Sequence, residues 1–232
     1  MTEELDALFF DAGGTLIDMC PPNYLTIHEV LARMGLRHSV EKVKHAVYKA
    51  ERVFDNEVAT LQGTDEETFW LKYDTFVLRE LGFEGDVQPV VRELSKTFDD
   101  TYSDPKNWSE YPDTRPMLED LGKRDFFLGM ISNATPLLRR VMDHLDLTRY
   151  FDEIVVSSEV GVRKPAREIF WIAARNAKVQ PNRCLYVGDR LAVDVVGARK
   201  AGMNAILLDR LRIFRDADCV KINDLASLRR FL

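Results

Sequence analysis

The apolar residues of this chain change their spacing twice. A short apolar run at residues 7–10 is followed at once by Asp11 and the turn pair Gly13 and Gly14, the pattern of a strand that ends in a tight turn. From about residue 23 to residue 102 the spacing shifts to three and four. Tyr24, Ile27, Val30, Leu31 and Met34 lead to Gly35, and Val40, Val43 and Val47 lead towards Phe54. Phe69, Tyr73, Phe76, Val77 and Leu81 lead to Gly82, and Val87, Val90, Val91, Leu94 and Phe98 form a fourth set. Four amphipathic helices with no strand signal between them predict a small helical bundle. Gly63, Thr64 and Asp65 are placed to break the chain and cap the third helix.

Beyond a loop at 103–112 the pattern alternates. Residues 126–131, 154–156, 184–187 and 205–208 read as short strands, and 117–121, 136–145, 166–176 and 192–201 as helices. Strands alternating with helices predict an α/β fold, a doubly wound, Rossmann-like parallel sheet. The helical bundle is inserted after the first strand. The expected division is a core of residues 1–18 and 105–232 and a helical insertion of 19–104.

This order places chemistry. In an open parallel sheet, ligands gather at the carboxyl ends of the strands. Asp11 follows the first strand, Ser132 ends another, and Asp189 follows a third. Lys164, just before Pro165, leads into a helix, and Asp194 lies five residues after Asp189. A carboxylate nucleophile, a hydroxyl, a lysine and two further carboxylates suit phosphoryl transfer. Asp11 could attack phosphorus and form an aspartyl-phosphate that water then hydrolyses. Gly13 and Gly14 let the backbone turn beside the incoming anion. Ser132, helped by Asn133 and by nearby backbone N–H groups, could hold a phosphate oxygen; a Ser-Asn helix cap explains the same residues. The Lys164 ammonium would hold nucleophile and phosphoryl group together and offset charge, with Arg163 as its rival. Carboxylates gathered near Asp11 would repel an anionic substrate unless a cation neutralised them, and Mg²⁺ suits an all-oxygen site. Asp194 would bind that metal or orient Lys164.

Composition narrows the partners. A formal charge of −6 makes a poor general binder of nucleic acid, and no apolar run approaches the ~20 residues of a membrane span. The acidic N-terminus lacks the pattern of a signal peptide. Cys20, Cys184 and Cys219 form no metal-ligand pattern and are expected to be reduced packing residues, which fits a cytoplasmic protein. A monomer or homodimer acting on a small phosphorylated molecule is the expectation. His28, His38, His45 and His144 show no ligand spacing, Phe69 and Trp70 read as bundle core, and nothing marks Lys42, Lys44 or Lys49 as a buried amine.

Taken in order, the four motifs resemble those of the haloacid dehalogenase-like hydrolase superfamily, in the branch whose helical cap is inserted between the first and second core motifs. That resemblance implies a magnesium-dependent hydrolase whose cap closes over the site. It also implies a second aspartate two residues after the nucleophile, which serves as general acid and base and contacts the metal through its backbone carbonyl. Here that position is Gly13, which retains a carbonyl and lacks the acid. Asp18 is a weak substitute. The first motif also resembles that of 2-haloacid dehalogenases, which need no acid, but those work without metal and lack the acidic pair seen here as Asp189 and Asp194. A phosphatase is therefore expected over a dehalogenase or a catalytically silent binder of a phosphorylated ligand or protein partner.

Overall fold

The computed structural model describes residues 4–60 and 66–232, with the side chain of Glu66 set aside. The break and cap expected at Gly63, Thr64 and Asp65, and the first three residues of the N-terminus, lie outside the described residues. The chain divides into two compact units, one of Met1–Asp18 with Ser109–Leu232 and one of Met19–Trp108.

The first unit is built on a six-stranded parallel sheet. Its strands are β1 (Ala7–Phe10), β4 (Phe127–Ser132), β5 (Glu153–Val156), β6 (Cys184–Gly188), β7 (Asn204–Leu208) and β8 (Lys221–Ile222). The remaining pair, β2 (Ile17–Met19) and β3 (Trp108–Glu110), forms a separate two-stranded sheet. The order β5-β4-β1-β6-β7-β8 puts β1 at the centre. After β1 the chain builds outward through β4 and β5, then returns to build β6, β7 and β8 on the other side. The order therefore reverses at β1, and the crevice at the carboxyl ends of β4, β1 and β6 is where such sheets bind ligands. The register is continuous there: Phe10 lies beside Met130 on one side and Val187 on the other.

A sheet covered on both faces needs apolar residues throughout, not alternately, and β1 is buried at all four positions. Helices α6 (Thr114–Leu121), α7 (Leu137–His144), α9 (Arg167–Ala177) and α10 (Val196–Lys200) fall where the sequence predicts them. Helix α9 turns Ile169, Phe170, Ala173 and Ala174 inward against Tyr186 and Val195, the one-face spacing of a surface helix. A one-turn helix, α8 (Ser157–Val160), follows β5.

The second unit contains α1 (Asn23–Arg33), α2 (Val40–Val53), α3 (Asp55–Val58), α4 (Glu66–Glu80) and α5 (Gln88–Tyr102). Ile27, Val30, Val43, Val47, Phe69, Val77, Val90 and Leu94 meet in one core. Trp70 departs from expectation. It is 53% exposed, because it stands about 100° around the helix from Phe69, whose face it shares only through ring-edge contact. Cys20 is likewise exposed and not packed, whereas Cys184 is buried. Lys42 bonds the Leu81 carbonyl and Lys49 pairs with Glu80, so neither is a buried amine.

Some elements differ for local reasons. The strand β3 lies in the stretch expected as loop, because three residues are too few for alternation to show. The helix expected from residue 192 begins instead as a wider π turn at Leu191–Val195. There the Arg190 carbonyl accepts from both Asp194 N–H (3.0 Å) and Val195 N–H (3.3 Å). Such turns often mark functional sites, and this one carries Asp194 into the interior, where it is 0% exposed. No helix among the described residues is long and apolar enough to cross a membrane.

Candidate active site

Three strand ends converge. Asp11 follows β1, and its backbone N–H donates to the Val187 carbonyl of β6 at 2.9 Å. That bond ties the nucleophile candidate to the strand that leads to Asp189. Asp11, Asp189 and Asp194 each present a carboxylate oxygen, all within 4.8 Å of one another.

Lys164 reaches into this cluster. Its Nζ donates to Asp11 Oδ1 (2.6 Å), Asp194 Oδ1 (2.7 Å) and the Tyr186 hydroxyl (2.8 Å). An ammonium has three N–H groups, so all three are committed to protein acceptors. Burial alone would depress the Lys164 pKa, but Asp11 and Asp194 outweigh it and the group stands raised. Burial pushes the Asp11 carboxyl up, against the pull of Lys164. The rival cation Arg163 does not share these contacts. Asp194 is fully engaged, with Oδ1 on Lys164 and Tyr186 and Oδ2 accepting the Arg190 N–H at 2.9 Å.

Asp189 is different. Its Oδ1 is buried and has no hydrogen-bond partner among the described residues, and its nearest cation, Arg190, stands 4.0 Å from Oδ2. Burial holds its carboxyl well above the usual carboxylate range. An orphaned carboxylate oxygen beside two other carboxylates is the donor set a hard divalent cation takes.

The loop after Asp11 is shaped around Asp189. Gly14 has φ +74°, and a Cβ there would stand 2.7 Å from the Asp189 carboxyl carbon and closer still to an oxygen. Gly14→Ala therefore combines left-handed strain with a collision. We expect a loss of about 1–2 kcal/mol, read as a lower thermal midpoint; an unchanged midpoint would show that the loop relaxes freely. Gly13 is the opposite case, exposed and with nothing within 4 Å of where a Cβ would stand. Asp18, the weak substitute acid, accepts a bond from the Tyr111 hydroxyl at 2.8 Å.

Ser132 closes β4 and is buried. Asn133 spends its amide on the main chain of Lys164, donating to its carbonyl and accepting from its N–H, both at 2.8 Å. The next N–H, of Ala134, goes to Ser157 Oγ at 3.2 Å. Asn133 thus sets the backbone from which Lys164 extends, and its amide has little left for a phosphate.

Sequence reasoning passed over Tyr186 and the brace around Arg210. Arg210 donates to the Thr15 carbonyl and to both oxygens of Asp113, pinning the loop that carries Gly13 and Gly14. For Tyr186 a signal existed: a hydroxyl in an otherwise apolar strand needs a buried partner.

The chain belongs to the haloacid dehalogenase-like hydrolases, whose family model matches residues 5–202. It is a hydrolase. It is 29% identical over 209 residues to the glyceraldehyde 3-phosphate phosphatase of Methanopyrus kandleri, covering 89% of this chain and 84% of that one. A Bacillus subtilis hydrolase of the family, bound to magnesium, shares the fold with a TM-score of 0.70 at 17% identity, across 99% of both chains. A 2-haloacid dehalogenase of Pseudomonas syringae shares it with a TM-score of 0.56 at 24% identity, across 97% of both.

Proposed function

We propose that the protein is a magnesium-dependent phosphatase that acts on a small phosphorylated substrate through an aspartyl-phosphate on Asp11. The observation that carries this reading is the unpartnered Asp189 oxygen beside the Lys164-bound Asp11 carboxylate. Asp189 and Asp194 beside Asp11 would repel an anionic substrate unless a cation neutralised them. The M. kandleri relative supports the choice by its name.

The residues present fit the metal. Asp11, Asp189 and the Gly13 carbonyl would hold it, with Asp194 behind them fixing Lys164. Bound there, magnesium supplies positive charge to the phosphoryl oxygens. Asp11 Oδ1 is held by Lys164, which leaves Oδ2 to attack phosphorus. The phosphorus–oxygen bond to the leaving group breaks as the aspartyl bond forms, and the departing oxygen takes a proton from water. Water then attacks the same phosphorus and releases phosphate and the Asp11 carboxylate, its proton passing to solvent. Lys164 offsets the negative charge around Asp11 in both steps. Ser132 is assigned to a phosphoryl oxygen.

The first experiment is hydrolysis of p-nitrophenyl phosphate with and without magnesium. Turnover that disappears with chelator and returns with the metal is expected. Chloride release from a 2-halo acid in chelator would replace this reading with the dehalogenase one, which Gly13 favours because halide leaves without a proton.

Gly13 makes a further expectation. Without an acid there, aryl phosphates should turn over far faster than alkyl phosphates. Gly13→Asp has room for its Cβ and should raise kcat on alkyl phosphates about 10²-fold, the low end of acid–base contributions. Equal rates across a leaving-group series, or no gain in a folded variant, would remove the missing-acid argument.

A further inference from the structure

We propose that Tyr186 is a positioning residue, whose hydroxyl is the third acceptor that fixes the Lys164 ammonium against Asp11. The inference rests on the reading of Asp11 as nucleophile and Lys164 as its counter-charge.

Holding two N–H groups of an ammonium fixes the direction of the third, which then needs an acceptor of its own. Asp11 and Asp194 hold two of them. Lys164 is 2% exposed, so water is scarce at the third, and an unmet buried donor is costly. The Tyr186 hydroxyl meets it at 2.8 Å. The hydroxyl is itself aimed, because its one proton lies between two acceptors, the Ile131 carbonyl at 3.0 Å, one residue before Ser132, and Asp194 Oδ1 at 3.2 Å. Its ring is locked edge-on against Phe170, with centroids 5.2 Å apart at 83°. Tyr186 therefore runs from β6 past the centre of the sheet to β4 and ends on the lysine.

The residue type follows from charge. Two carboxylates, Asp11 and Asp194, already face Lys164, with Asp189 beside them, and a phosphate monoester brings more negative charge. A carboxylate as third acceptor would add repulsion. A phenol accepts the same bond without charge, and burial keeps it protonated by pushing its pKa well up. Phenylalanine would pack as well but leave the third Lys164 N–H unmet.

The test is Tyr186→Phe, measured on p-nitrophenyl phosphate with magnesium present. A hydrogen bond to a charged group is worth roughly a ten- to hundredfold change in rate, so kcat should fall by about that factor while KM stays near the wild-type value. A second readout is the ammonium signal of Lys164 in protein labelled with ¹⁵N-lysine, identified by its loss in Lys164→Met. Slow proton exchange should make it visible in the wild type, and in Tyr186→Phe it should broaden or vanish. A wild-type kcat, or a rise in KM with kcat unchanged, overturns the proposal. If Lys164→Met keeps wild-type turnover, the functional reading fails first and takes this inference with it. Should Tyr186→Phe not fold, 3-fluorotyrosine at position 186 keeps ring and hydroxyl but weakens the acceptor. A smaller fall in kcat at constant KM is then expected, and no fall overturns the proposal.

Discussion

Asp11→Asn should abolish magnesium-dependent hydrolysis, by about 10⁴-fold or more, while leaving the fold intact. The amide has the same shape as the carboxyl and its oxygen can still accept from Lys164. What it loses is the nucleophile. The Asp11 backbone bond to Val187 is untouched, so the junction of β1 with β6 persists. Burial already works against the Asp11 charge, and Lys164 keeps Asp194 as its counter-ion. A thermal midpoint within a few degrees of the wild type is expected. Near-wild-type turnover in a folded Asp11→Asn variant would exclude the aspartyl-phosphate route.

Lys164→Met should be the most damaging substitution for stability. It keeps the length of the side chain and removes all three donors. Asp11 and Asp194 then lie buried without their shared cation, and breaking such a pair costs about 3–5 kcal/mol. The loss carries a pH signature. Burial already holds the Asp11 carboxyl above its ordinary value, and with no lysine nothing opposes that shift. The native state then binds more protons than the unfolded state, so stability falls as pH rises. The deficit against wild type should be smaller at about pH 5 than at about pH 8, because at the lower pH the Asp11 carboxyl can protonate and shed its charge. Chemical denaturation at the two values measures this. A pH-independent deficit would mean that the loss comes from packing alone. In the same variant kcat should fall, since the charge that offsets Asp11 is gone.

Much of the fold is legible in residue spacing. The strand at Ala7–Phe10 has the bounds its apolar run indicates, and helices α1, α2, α4 and α5 follow their three-and-four periodicity. These are elements long enough, or buried enough, for composition to show. The two- and three-residue strands β2, β3 and β8 were not legible, since so few residues carry no period. Nor was the π turn, which depends on the Arg190 carbonyl taking two donors.

The site divides in the same way. Which residue types lie at strand ends is a property of the sequence, and it is enough to single out Asp11, Ser132, Lys164, Asp189 and Asp194 and the absent acid at Gly13. Which atom meets which is not. The sequence left Asp194 between metal ligand and orienter of Lys164, and offered Asn133 to a phosphate. The tertiary structure commits both Asp194 oxygens and the Asn133 amide to protein partners, leaves Asp189 Oδ1 without one, and brings in Tyr186, 22 residues from the lysine it holds. The reason is physical. Strand order and burial follow from summed hydrophobic patterning, which the chain carries locally. Hydrogen-bond partners in a buried cluster follow from three-dimensional competition for a few donors, and that is settled only once the strands have assembled.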